Sequence, residues 1–174
     1  MICPLTQAAA AFGDSPALID GATTLSFADL DACVAGCTLL DDLPAGSRVG
    51  LWDPDHIAAV PVMFAAWRRG LTVVLLSARM PDVSGVSERL GLARVLRGSD
   101  LRLPSPAPRQ PAAIPDGIHT VLLTSGSSGT PKAVAHSLAA HLANAHGSNR
   151  NIPFVPGHRW RRSLSMALSL IHIS

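Results

Sequence analysis

The run Thr72-Val73-Val74-Leu75-Leu76, entered just after Gly70 and left at Ser77, carries no charge and no polar alternation. A strand that is apolar on both faces must be covered on both, and a parallel sheet between helical layers does this. The neighbouring residues repeat the pattern. Arg48-Val49-Gly50-Leu51-Trp52 follows a Pro44-Ala45-Gly46 turn and reads as a second buried strand. Between the two, His56 to Arg69 reads as a helix that Asp53 or Asp55 can cap and Gly70 ends. Pro61 either kinks that helix or marks where its first turn begins. A helix from Val83 to Leu90 and a strand from Ala93 to Leu96 continue the alternation. The expected fold class is α/β, made of βαβ units on a parallel sheet.

Upstream, Pro4 to Phe12 reads as a short helix closed by Gly13, and 17–20 and 23–25 flank Gly21 as a small hairpin. Ser26 stands three residues before Asp29, a capping-box signal. The helix it opens carries Phe27, Leu30, Val34 and Cys37 at spacings of three and four. Cys33 and Cys37 lie one turn apart in that reading. As metal ligands they lack two partners, so core packing is the expectation.

Composition excludes several classes. Of 174 residues, 48% are hydrophobic and 15% charged, too apolar for a wholly disordered chain. The stretch from Ile57 to Trp67 ends at Arg68-Arg69 and is too short for a membrane span. A formal net charge of +2, with basic residues scattered and not interleaved with aromatics, makes nucleic acid an unexpected partner. Met1-Ile2-Cys3-Pro4 has no basic n-region, and three cysteines without metal spacing suit a reducing compartment. A cytoplasmic location is expected.

Between Leu101 and Asp116, Pro104, Pro106, Pro108, Pro111 and Pro115 oppose both ladder and helix. The expected organisation is therefore a first α/β subdomain over 1–100, a Pro-rich connector over 101–118, and a second subdomain beginning at 119–160. His119-Thr120-Val121-Leu122-Leu123 reads as its first strand, followed by a loop and a helix from about Ser137 to His146. On such a helix, His136, His141 and His146 would lie about 140° apart, on different faces, so a zinc site is not expected.

The loop carries the chemistry. It reads Thr124-Ser125-Gly126-Ser127-Ser128-Gly129-Thr130-Pro131-Lys132, and Lys132 is the only lysine beside 13 arginines. Small residues let successive amide N–H groups converge on an anion, hydroxyls add donors, and Lys132 adds a full charge suited to a polyphosphate. A Walker-type loop would need Gly directly before the lysine and Ser or Thr after it, where Pro131 and Ala133 stand. The dinucleotide fingerprint fails too, since Ser127 and Ser128 separate the glycines.

Leu123 through Lys132 resembles the signature of the adenylate-forming acyl-CoA ligase superfamily, with Ser128 in place of the commoner threonine. His136-Ser137, Ala140-His141-Leu142-Ala143, Gly147, Ile152-Pro153-Phe154 and Trp160 are similar to the o-succinylbenzoate–CoA ligase branch, which serves menaquinone synthesis. The resemblance implies the large N-terminal domain of such an enzyme, truncated. It also implies ATP, Mg²⁺, CoA as a substrate, and a small-molecule carboxylate activated as an acyl-adenylate. Thr124, Ser125, Gly126, Ser127, Ser128, Gly129, Thr130 and Lys132 would bind the ATP phosphates and their Mg²⁺. The family's adenine-binding motifs and its C-terminal adenylation lysine have no counterpart in these residues, so the chain alone is expected to be inactive. Residues 161–174 depart from the family pattern and read as a tail of artefactual origin; His172 receives no role. Two alternatives stand beside this reading: another aryl- or fatty-acyl-CoA ligase or adenylation domain, and a non-catalytic nucleotide-binding protein.

Overall fold

The computed structural model describes residues 1–124, 131–152, 155, 157–159, 161–162 and 165–167. Helix α1 (Pro4–Phe12) leads into a hairpin of β1 (Pro16–Asp20) and β2 (Thr23–Ser26). Helix α2 (Phe27–Ala35) follows through a complete capping box: the Asp29 N–H donates to Ser26 Oγ, and the Ser26 N–H donates back to the Asp29 carboxylate, each at 3.0 Å. Cys37 falls just beyond that helix but is buried, as is Cys33. Then come β3 (Arg48–Trp52), α3 (Ala59–Arg68), β4 (Thr72–Leu76), α4 (Val83–Leu90), β5 (Leu92–Arg97), β6 (Ile118–Thr124), β7 (Lys132–Ser137) and α5 (Leu138–Asn151).

Five strands form one sheet in the order β5-β3-β4-β6-β7. The pairs β3–β4, β3–β5 and β4–β6 are parallel; β6–β7 is antiparallel. The sheet is thus mostly parallel, as the apolar runs require, with an antiparallel edge strand where local sequence signals point to a loop. The double-sided burial of β4 is visible in its side chains. Val73 and Leu75 join Val49, Leu51 and Leu122 in a core shared with α1, α2 and α3. Val74 and Leu76 face the other way, onto Val86 of α4. Gly50 is glycine for a steric reason: an added Cβ would meet Leu92 Cδ1 at 2.9 Å and Leu76 Cδ1 at 3.1 Å.

Two expectations need correction. Helix α3 begins at Ala59, not His56, and no side chain caps it. Asp53 belongs to the strand side, its N–H donating to the Leu76 carbonyl at 2.9 Å, and Pro61 falls in the first helical turn, where proline is tolerated. Second, the Pro-rich segment makes ladder-like bonds: Cys3 N–H donates to Ala112 O at 3.0 Å, and Ile114 N–H to Met1 O at 2.8 Å. These use the non-proline residues between Pro111 and Pro115, and Ile114 is fully buried. Across the 101–118 segment the sheet continues, since β6 pairs directly with β4. The described residues of the 161–174 segment pack on the body. Arg162 pairs with Asp55, the Met166 N–H donates to the same carboxylate at 2.8 Å, and Ala167 is buried in the core.

Candidate functional site

The motif residues sit at a defined place in this sheet. Thr124 ends β6 and Lys132 opens β7; the two are register partners, with Thr124 Oγ1 3.5 Å from the Lys132 carbonyl oxygen. Residues 125–131 therefore connect the arms of an antiparallel hairpin. Because β6 runs parallel to β4, and β4 to β3, this connection leaves the edge where Leu76 and Trp52 also finish. The carboxyl ends of parallel strands are where open α/β sheets bind ligands. Lys132 is exposed, and among the described residues no carboxylate pairs with it. Its charge is available to an incoming anion. Ser125, Gly126, Ser127, Ser128, Gly129 and Thr130 lie outside the described residues.

One contact at this hairpin has no signal in the sequence. Arg89, on the last turn of α4, donates from Nη2 to the Pro131 carbonyl at 3.4 Å. Nothing local distinguishes it from the other arginines, because the contact joins residues 42 positions apart.

Beneath the hairpin lies a cluster of imidazoles. His136 is on β7, not on a helix, so helical spacing does not set it on a different face from His141. The two rings stand 5.6 Å apart, and His141 stacks on Trp67 of α3 at 5.8 Å. The third, His119, is buried on β6. Its Nδ1 accepts the Leu138 N–H at 3.0 Å, which places the neutral ring's proton on Nε2, 2.9 Å from the Pro115 carbonyl. Its own carbonyl accepts from Trp67 Nε1 at 2.8 Å. His141 Nε2 lies 3.0 Å from Thr120 Oγ1. Burial, and then the neighbouring His136 and His119, push the His141 imidazole below its ordinary value. Among the described residues no group of three or more His, Cys, Asp or Glu side chains is arranged to hold a metal ion. No helix there is long and apolar enough to cross a membrane.

No protein-family model matches the chain. A 60-residue stretch is 42% identical to 2-succinylbenzoate–CoA ligase of Salmonella typhimurium, covering 34% of this chain and 12% of that protein. In fold the chain is similar to O-succinylbenzoate coenzyme A synthetase from Bacillus subtilis in complex with AMP. That match has a TM-score of 0.80 at 19% identity, over 96% of this chain and 50% of the other. The same synthetase in complex with ATP and magnesium ion aligns with a TM-score of 0.79 at 19% identity, over 97% and 52%. The chain thus spans about half the length of these structures. Fold along nearly the whole chain, and sequence over a third of it, converge on the adenylate-forming enzymes, and within them on the 2-succinylbenzoate–CoA ligases, as what this chain resembles.

Proposed function

We propose that this chain contributes the ATP-phosphate site of an acid–thiol ligase, which activates o-succinylbenzoate as an acyl-adenylate and passes it to CoA in menaquinone synthesis. The supporting observation is the hairpin that pairs Thr124 with Lys132 at the carboxyl edge of the parallel sheet. ATP, arriving with Mg²⁺, supplies the electrophilic α-phosphorus and the pyrophosphate leaving group. Lys132 places a positive charge where that leaving group gathers negative charge, and Thr124 adds a hydroxyl at the opposite arm. Ser125 to Thr130 complete the same loop, with Gly126 and Gly129 allowing close backbone approach. The pairing of β6 with β7 holds Thr124 and Lys132, the two ends of this segment, on the sheet.

The two half-reactions separate this role from a structural one. In a ligase containing this segment, Lys132→Ala should slow adenylate formation by about ten- to a hundredfold, as loss of one charge-assisted contact of ~1.5–3 kcal/mol implies. Transfer from pre-formed acyl-adenylate to CoA should change little, because pyrophosphate has already left. Pyrophosphate release and thioester formation are the readouts. Equal losses in both steps would mean that Lys132 supports the fold or the acyl site instead.

A further inference from the structure

The imidazole cluster is not used by the phosphate chemistry, and its geometry joins three elements at one point. His119 Nδ1 accepts the N–H of Leu138, the first residue of α5, from outside that helix, while Ser137 Oγ accepts from Ala140 within it. The first amides of a helix need acceptors, and a cation among them opposes the helix dipole. A protonated His119 has no lone pair at Nδ1, so it can neither keep this bond nor sit comfortably at that end. His141, one turn into α5, is wedged between Trp67 of α3 and Thr120 of β6. His136 Nε2 is buried beside it without a hydrogen-bond partner among the described residues. Besides these contacts, α5 is held by Leu138, its one buried residue, and by Leu142, partly buried against the core.

We propose that His119 and His141, with His136 beside them, form an acid-sensitive clasp that docks α5 on the sheet while the imidazoles are neutral and releases it when they take up protons. The titratable groups that face the clasp fit this direction. β7 offers His136 and α3 offers the uncharged Trp67. The small cavity beside His119 is lined by Met1, whose ammonium donates to the Ile114 carbonyl, and by Asp116. Asp116 is exposed, so water rather than the clasp solvates it. The release would loosen β7, the arm that begins at Lys132, and so couples acidity to the hairpin.

Hydrogen exchange of the 174-residue chain tests this, read as protection factors so that the intrinsic pH dependence of exchange cancels. Each histidine that must gain a proton on release multiplies the opening equilibrium by about ten between pH 7.5 and 5.5, for an ordinary imidazole value near 6.5. Amides of α5 should therefore lose about ten- to a hundredfold of protection, while those of β3 and β4 keep theirs. The double variant His119→Asn/His141→Gln retains acceptors near Nδ1 and Nε2 without titrating there, and its α5 protection should lose most of the parent's pH dependence, with only the share of His136 left. Should that variant not fold, His141→Gln alone should show about tenfold less pH dependence than the parent. Unchanged α5 protection in the parent, an equal loss in every strand, or a variant as pH-sensitive as the parent would overturn the proposal.

Discussion

Arg68 shows how much one residue can hold. From the last turn of α3 its guanidinium donates to Asp31 of α2, to Thr6 Oγ1 of α1 at 2.9 Å and to Cys3 Sγ at 3.4 Å. The Asp31 and Arg68 side chains are only 3% and 11% exposed, so the ion pair is buried and each charge depends on the other. Asp31→Ala should cost about 3–5 kcal/mol in urea unfolding by stranding the guanidinium. Asp31→Leu combined with Arg68→Met should cost distinctly less, because it removes both charges; a double variant as unstable as the single one would show that packing, not charge, is what the site supplies. Sequence spacing carries no sign of this pair, whose members stand 37 positions apart. Lys132 is the opposite case: as the chain's only lysine, within a recognisable motif, it is conspicuous in the sequence itself.

At the scale of elements, legibility depends on whether a local signal exists. The Ser26–Asp29 capping box, the Gly70 terminus of α3 and the bounds of α4 all rest on contacts within a few residues, and they form as their residues predict. β7 has no comparable signal. Lys132-Ala133-Val134-Ala135-His136-Ser137 is short, weakly apolar and half exposed; it becomes a strand because β6 presents an open edge to it. Gly50 tests the packing between elements. Gly50→Val should destabilise the fold by ~1–3 kcal/mol or more, since Leu92, Leu76 and Val95 already close around the missing Cβ. Thermal unfolding of the variant checks it. An unchanged midpoint would mean that β5 can shift outward at no cost.

For the whole molecule, stability against pH should form a dome. His141 has a depressed value, so the unfolded chain binds more protons, and stability falls as pH drops below about 6.5. Asp29 and Asp42 are held below the ordinary carboxylate value mainly by hydrogen bonds from Ser26 and Arg94. Burial works against ionisation at Asp55, but hydrogen bonds from Ser165, the Met166 N–H and Arg162 bring its value down as well. Their contribution is present above about pH 4 and is lost as the pH falls further. On the alkaline side, burial raises the Cys33 and Cys37 thiols, so stability drops once unfolded thiols ionise. Unfolding midpoints from pH 3 to 10 should show both acid steps, and His141→Gln should shrink the upper one. A midpoint flat from pH 7 to 5 would refute that assignment.

The sequence by itself determined the elements that need only their own neighbours: the β3, β4 and β6 runs, apolar on both faces and so bound to a covered parallel sheet, the capped helices, and the Ser/Gly-rich motif with its lone lysine. Tertiary structure decided the rest. It joined β6 to β4 across the Pro-rich segment, turned the motif's flanks into a hairpin, gathered His119, His136 and His141 around Trp67, and brought Arg89 to Pro131. Each of these depends on residues far apart in the chain, and no periodicity or local propensity records which distant partner a free edge or a buried polar atom will find.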